Sequence, residues 1–348
     1  MTKKKQAPTK AISRVEEILN KTHRTFGKSS AFIVSDAAER HRDPNNWIST
    51  GSIVIDKITG GGYRRGRMVE ISGPESSGKT TMCLHAIAEC QRKGGVAAFV
   101  DAEHALDTFY AENLGVDLSN LIITQPDAGE KSFDIVEAWI EDGVDLIVID
   151  SVAAMATTFE QERDHEDKSR VGGLSAMWSR ALRILTSTLG KSRTVLMLTN
   201  QLRNKIGAYG NPETTTGGNA IKFYASLRLD IRRVSQGAIN NKNTKEMDGY
   251  RTRVKTIKNK VAPPFRQAEV DIIFGLGMDK ASDVFDYLIG QEVITRGGAW
   301  YYFPEDFSYI NEKGESSNKF QGRDACMEYI RSHPDYYEKL KDKAYETV

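Results

Sequence analysis

At 348 residues the chain can bury one large core with smaller appendages, and 39% hydrophobic and 27% charged residues are the make-up of a folded globular protein. No run of about 18 apolar residues occurs, which excludes a membrane-spanning helix. With 48 Lys+Arg against 47 Asp+Glu the net charge is +1, so any site for a polyanion has to be local.

The cysteines (Cys83, Cys90 and Cys326) are odd in number and lack metal-ligand spacing, so they read as reduced thiols of a cytoplasmic protein. Residues 1–10 are polar and basic, with no apolar stretch behind them to make a secretory signal. Ser13 and Glu16 form a capping box ahead of Val15, Ile18 and Leu19, which predicts a short amphipathic helix. Ala31-Phe-Ile-Val34 reads as a strand, and the polar stretch to Trp47, with Asp43-Pro44, reads as a linker. This first unit is too small to cover its own apolar stripe, which must dock on its own core or on a neighbouring copy.

From Ile48 to about Gly277 strands alternate with helical patterns, the mark of a mostly parallel sheet with crossover helices. The expected strands are Met68–Ser72, Ala97–Asp101, Leu121–Thr124, Leu146–Asp150, Thr194–Asn200, Leu227–Arg232, Arg253–Lys260 and Ala268–Phe274. Several are continuous Val/Ile/Leu runs, as strands buried on both faces require. After Gly277 the pattern changes to a helix (Asp283–Ile289), a two-strand piece around Gly297–Phe303 and a charged helical end.

One loop dominates the chemistry. Gly73, Pro74, Glu75, Ser76, Ser77, Gly78, Lys79 and Thr80 match the phosphate-binding pattern G-x-x-x-x-G-K-[ST], followed by Thr81 and a helical run. Its glycines let successive amides turn inward on a phosphate, and the helix start adds its positive dipole end. Lys79 can reach the β- and γ-phosphates of ATP, and the Thr80 hydroxyl can ligate Mg²⁺. The apolar strand ending in Asp150 supplies a carboxylate suited to hold that metal beside Thr80.

Further strand ends carry candidates. Asp101-Ala-Glu103 places Glu103 where a carboxylate can orient the water that attacks the γ-phosphate, or else cap a helix. Thr199-Asn-Gln201 ends another strand in amides that can sense the γ-phosphate. The stretch from Leu202 to Gly218 is long, without a periodic apolar face, and rich in cations, hydroxyls and glycines. Such a loop suits a phosphodiester backbone better than base edges. Residues 157–173 are similarly unpatterned but dense in both charge signs. The basic clusters Tyr63–Arg67, Arg228–Arg233 and Arg251–Lys260 read singly as solvated faces.

Taken together, Gly73–Thr81, Asp101–Asp107, Asp150–Ala154, Gly210–Asn219, Lys222–Ser226 and Lys258-Asn-Lys260 closely resemble bacterial RecA recombinases, from about Lys21 to beyond Trp300. The resemblance implies an α/β fold: a RecA-type P-loop core with a twisted, mostly parallel sheet (37–277), an N-terminal helix–strand polymerisation arm (1–36) and a small α+β C-terminal domain (278–348). It implies an ATP- and Mg²⁺-dependent DNA-dependent ATPase that forms a helical filament on single-stranded DNA, pairs it with homologous double-stranded DNA and exchanges strands. A LexA-type repressor and loading mediators are implied partners, with no membrane.

By position, Glu103 matches the catalytic glutamate and Gln201 the γ-phosphate sensor. Asp107 and Tyr110 match residues that contact adenine, Lys258 and Lys260 the lysines that reach ATP on the neighbouring subunit, and Phe223 an interface aromatic. The family's two DNA-binding loops fall on 157–173 and 202–218, with Arg183, Arg203, Lys205, Ile206, Gly207, Tyr209, Gly210, Asn211, Thr214, Thr215, Thr216, Gly217, Gly218 and Asn219 as expected DNA contacts. Departures are specific. The second loop is one residue short, Ala176 stands where an arginine is expected, Phe274 stands where a tyrosine often lines the nucleotide, and no long acidic tail follows Ala344–Val348. A ring-forming helicase and an ATP-gated scaffold are the competing classes on the same core.

Overall fold

The computed structural model describes residues 10–28, 30, 31, 33, 43–161, 172–204, 213–240, 244–310 and 314–347. The chain divides into two compact units, Met1–Asn46 and Trp47–Val348. In the first, a helix runs Lys10–Phe26, and the His23 ring meets the Ala31 carbonyl at 2.7 Å. Ser13 therefore lies inside the helix rather than capping it, because Lys10, Ala11 and Ile12 carry no residue that stops a helix from starting earlier. Val15, Ile18 and Phe26 are exposed. The expected strand is not formed at Ala31 or Ile33, while Phe32 and Val34 lie outside the described residues. A lone strand has no ladder to join without a partner edge.

In the second unit a ten-stranded sheet forms the centre, built from β3 (Arg67–Gly73), β4 (Ala97–Asp101), β5 (Leu121–Thr124), β6 (Leu146–Asp150), β7 (Val195–Asn204), β8 (Glu213–Thr215), β9 (Leu227–Asn240), β10 (Met247–Asn259), β11 (Gln267–Ile273) and β12 (Gly277–Met278). A two-stranded ribbon, β1 (Trp47–Ile48) with β2 (Tyr63–Arg64), precedes it. The order is β12-β11-β10-β9-β3-β7-β6-β4-β5, with β8 attached to β7. β9, β3, β7, β6, β4 and β5 are mutually parallel, whereas β10, β11 and β12 continue antiparallel.

Alternate residues of β3, β4, β6 and β7 feed two cores. Val69, Ile71, Phe99, Val148 and Met197 face the helices Ile53–Thr59 and Lys79–Arg92. Met68, Val100, Ile147, Ile149 and Leu198 face the helices Gly129–Glu141 and Gly173–Lys191, whose Trp178 is fully buried and packs edge-on to Phe133. The parallel strand ends, and the loops that follow them, therefore gather along one carboxyl edge.

A third cluster forms the C-terminal lobe around Phe285, Tyr301, Phe303, Phe320 and Tyr336. The expected two-strand piece is a three-stranded antiparallel sheet, β13 (Thr295–Gly297), β14 (Trp300–Tyr302) and β17 (Lys319–Gln321), beside the hairpin β15 (Tyr309–Ile310) and β16 (Ser316–Ser317). Its third strand escapes sequence reading because Phe320 is its single apolar residue. The charged end is two helices, Arg323–Ser332 and Pro334–Tyr345, split where proline opens the second. Among the described residues no helix is long and apolar enough to cross a membrane.

The lobe meets the core over buried carboxylates. Asp283 accepts from the Ile53 amide at 2.7 Å, and Asp56 accepts from Ser49, Thr50 and Tyr345. Burial raises the Asp283 pKa from 3.8 to about 7. The folded protein thus keeps this proton over a range where the unfolded chain has lost it. The stability held below pH 3.8 drains away as pH rises to about 7, by up to roughly 4 kcal/mol. In Asp283→Asn that loss disappears. Urea unfolding at pH 4.5 and pH 8 should show the variant gaining on the wild type at the higher pH, whereas a pH-independent difference would contradict the burial of an ionisable group there.

Candidate active site

β3 ends at Gly73, and the loop to Gly78 opens directly into the helix Lys79–Arg92. Two glycines are sterically required. A Cβ on Gly73 would stand 2.3 Å from the Ile231 carbonyl oxygen, and Gly78 sits at φ 97° with a Cβ position 2.6 Å from Ile272. Lys79 arches back over the loop, its Nζ donating to the carbonyls of Gly73 (3.2 Å) and Pro74 (2.7 Å). Burial lowers the Lys79 pKa, against the pull of Asp150, Glu103 and Glu75.

Asp150, at the end of β6, meets the start of the loop helix. Its Oδ2 accepts from the Thr80 hydroxyl at 2.6 Å and its Oδ1 from the Thr199 hydroxyl. Burial raises its pKa, those two hydroxyl bonds oppose the rise, and the Glu103 charge adds to it. A divalent cation would relieve this cost, and the donors are hard oxygens. Among the described residues no group of three or more His, Cys, Asp or Glu side chains could hold a metal by itself. The oxygens present, one carboxylate beside one hydroxyl, are the kind of protein share Mg²⁺ takes, its shell completed by water and phosphate.

Glu103 lies beyond the end of β4, which pairs with β6 so that Asp101 registers with Asp150. The Ser151 hydroxyl donates to Glu103 Oε1. The capping duties fall to its neighbours. Asp101 accepts from the amides of Ala105 and Leu106 and from Gln125, and Asp107 caps the helix Thr108–Asn113 through the Tyr110 amide. Glu103 is left exposed beside Asp150 and Lys79.

Tyr110 bonds to Thr81 Oγ1 at 3.0 Å, placing it against the loop helix. Phe274, half-exposed, packs at 5.8 Å on Tyr250, which the sequence reading did not single out. Arg233 was missed as well: its Nε donates to the Ser76 carbonyl at 2.8 Å while its guanidinium lies 4.0 Å over the Tyr250 ring. It thereby clamps the crest of the phosphate loop. The signal was present in the Arg228–Arg233 cluster, but nothing in sequence tells which arginine turns inward.

Gln201 registers with Gly73 across β3 and β7, at the mouth of the pocket. Beyond it the second loop is not featureless. Leu202, Arg203 and Asn204 pair with Thr215, Thr214 and Glu213, so its base is a β-hairpin. Arg232 clamps the returning strand through both carboxylate oxygens of Glu213, at 3.1 and 2.5 Å. Arg203 and Asn219 are exposed, Thr214, Thr216 and Gly218 are partly covered, and Thr215 and Gly217 are buried in the base. Lys205, Ile206, Gly207, Tyr209, Gly210 and Asn211 lie outside the described residues, as does 162–171 of the first loop. Arg183 is exposed on the helix Gly173–Lys191, where Ala176 also sits.

Lys258 and Lys260 are not brought to this pocket. Lys258 registers with Arg228, itself registered with Glu70, and the Lys260 amide bonds to the Ser226 carbonyl at the amino end of the parallel strands. At about 3.3 Å per residue the three steps from Glu70, level with Lys258, to Gly73 already exceed the reach of a lysine side chain, and Lys260 lies further back. Lys258 Nζ donates to the carbonyls of Lys222 and Phe223, both at 2.8 Å, and Phe223 is 74% exposed.

A family model, RecA N-terminal domain, matches residues 13–279. Protein RecA of Thermotoga neapolitana is 47% identical over 346 residues, covering 99% of this chain and 93% of that protein. Protein RecA of a Nostoc species is 47% identical over 333 residues (95% and 88% covered), and that of Gluconobacter oxydans 46% over 336 residues (96% and 91%). The crystal structure of the RadB recombinase superposes with a TM-score of 0.50 at 20% identity, covering 66% of this chain and 98% of that one, a likeness of fold. With a family model over most of its length and relatives at nearly half identity, this chain belongs to the RecA family.

Proposed function

We propose that this chain is an ATP-dependent recombination and repair protein whose triphosphate lies at the seam between successive protomers of a filament on DNA. One observation carries the seam: the phosphate loop follows the carboxyl end of β3, whereas Lys258 on the antiparallel β10 is level through Arg228 with Glu70 in mid-β3, and Lys260 bonds to Ser226 ahead of β9. No protomer can bring its own lysines to its own phosphate. A neighbour stacked head to tail can, which is the heterologous contact that generates helical filaments.

Within one protomer, the loop amides and Lys79 hold the β- and γ-phosphates. Thr80 and Asp150 are the residues that would hold Mg²⁺, which supplies charge neutralisation on the phosphate oxygens. Glu103 orients and polarises the attacking water, and Gln201 senses the γ-phosphate. Tyr110, Asp107 and Phe274 line the base, with Phe274 in contact with Tyr250. Lys258 and Lys260 enter from the next protomer and stabilise charge developing on the transferred phosphoryl group, as a cation supplied in trans does elsewhere. Hydrolysis followed by departure of phosphate takes the terminal anion from between the two copies and leaves Lys258 and Lys260 of one facing Lys79 of the next, so the interface weakens.

The hairpin-based second loop, the first loop and Arg183 hold single-stranded DNA by its backbone, leaving bases free to pair with duplex. The organisation is an arm (1–36), a core (37–277) and a C-terminal domain (278–348). Strand β5 is one terminal strand of the sheet and exposes Ile122 and Ile123, a ladder that the arm segment 31–34 of another copy can extend. A LexA-type repressor and loading mediators are further partners of the DNA-bound form.

Hydrolysis of ATP with and without single-stranded DNA, together with pairing of homologous duplex and unwinding of a forked duplex, tests the assignment. We expect DNA to stimulate hydrolysis, binding to fall steeply with salt, and homologous pairing without fork unwinding. Unwinding without pairing would make it a helicase, and hydrolysis indifferent to DNA a scaffold.

A further inference from the structure

Behind the second loop lies a buried polar cluster that none of the assigned roles uses. Glu70 on β3 registers with Arg228 on β9 and with Leu198 on β7, and Asn200 lies two residues further along β7 on the same face. Glu70 and Asn200 are completely buried. Asn200 Nδ2 donates to Glu70 Oε1 at 2.9 Å and to the Thr216 carbonyl at 3.0 Å, and its Oδ1 accepts from the Thr216 amide at 3.1 Å. Arg228 Nε donates to the other Glu70 oxygen.

We propose that Asn200 is a positioning residue for the second DNA loop: its carboxamide clips Thr216 through both backbone groups and so ties the loop's return to the strand that carries Gln201. The inference rests on the assignment of that loop to DNA. The amide imitates a ladder partner where the β7–β8 pairing has ended at Leu202 and Thr215. Its orientation is forced, because an ionised carboxylate only accepts. Glu70 must therefore face the Nδ2 side, which turns Oδ1 toward the Thr216 N–H. Arg228 keeps the Glu70 charge paired and fixed in a place where an unpaired carboxylate is costly.

The placement joins two functions on three consecutive residues. Thr199 holds Asp150 beneath Thr80, Asn200 holds Thr216, and Gln201 stands across from Gly73. A shift of β7 at the pocket is thus passed to the loop through a two-point contact rather than through a flexible linker. The same cluster borders Lys258, whose pKa is lowered by burial first and then by Lys260 and Arg228, with Glu70 opposing.

Asn200→Ala in the full chain tests this. We expect the ratio of DNA-stimulated to DNA-free hydrolysis to fall by about tenfold and the half-saturating single-stranded DNA concentration to rise by about as much, while the ATP Kd measured without DNA stays within about twofold. Asn200→Asp should behave alike, since a carboxylate can donate to neither Glu70 nor the Thr216 carbonyl. Amide hydrogen exchange reads the clip in the unmodified protein: the Thr216 amide should be protected, and fast in Asn200→Ala. Retained DNA stimulation in a folded variant, or an unprotected Thr216 amide in the wild type, would overturn the assignment. A wild type that DNA does not stimulate, with Thr216 still protected, would instead remove the DNA-loop reading on which it rests.

Discussion

Glu103→Gln will lower ATP turnover by about 10²- to 10⁴-fold while leaving ATP binding and ATP-dependent DNA binding in place. The expectation comes from what Glu103 touches. It is exposed at the carboxyl edge, held by the Ser151 hydroxyl, and its charge acts on Asp150 and Lys79. Asp101 and Asp107 perform the capping that would otherwise explain an acid in this turn. Glutamine keeps the shape and can still accept from Ser151, so only the capacity to polarise water is removed. Deleting a negative charge beside a triphosphate does not weaken binding by electrostatics, and ATP affinity should hold or tighten. Single-turnover hydrolysis with a filter-binding assay separates the outcomes. Unchanged turnover, or loss of nucleotide binding, would contradict the role.

Lys258→Ala will abolish ATP-driven assembly and lower DNA-dependent turnover by about 10³-fold, the scale of losing a cation supplied in trans. Each monomer should stay folded and bind ATP, because its own phosphate loop is complete without Lys258. The lysine bonds to two carbonyls at the end of the helix Asn219–Tyr224, so a small local cost is expected, on the order of 1 kcal/mol. Sedimentation with and without ATP, alongside thermal unfolding of the monomer, checks this. Normal ATP-induced filaments with Lys258→Ala would sink the trans-cation idea, and a monomer that no longer folds would assign the lysine to its helix instead.

The sequence showed the interior of the sheet more clearly than its rim. Ala97–Asp101 and Leu146–Asp150 form as expected, since their apolar runs leave few alternatives to a central strand, and Leu121–Thr124 forms with its expected bounds at the sheet's edge. β9 and β10 extend to Asn240 and start at Met247, well past the apolar segments. There the residues are mixed or polar, and backbone pairing with the few contacts of Tyr250 continues the hairpin. The base of the second loop was missed for the same reason: Glu213–Thr215 carries no apolar alternation, and only its partner on β7 makes it a strand.

The phosphate loop was legible because all of its parts are contiguous. Glu103 and Asp150 followed from strand ends, given that loop. What stayed hidden were contacts assembled from distant segments: Arg233 on Ser76 and Tyr250, Thr199 on Asp150, Ser151 on Glu103, and the Asn200 clip. Asparagine beside Gln201 looks like a second polar strand end. Its work depends on a loop carbonyl and amide sixteen residues away, which no local pattern announces.

Cryo-electron microscopy of the protein on single-stranded DNA with a non-hydrolysable ATP analogue addresses the shared triphosphate most directly. The account predicts a helical filament in which the terminal phosphate cradled by Gly73–Thr80 of one copy meets the Lys258 and Lys260 ammonium groups of the next. A filament whose nucleotides face open solvent, with those lysines far from any phosphate, would contradict it.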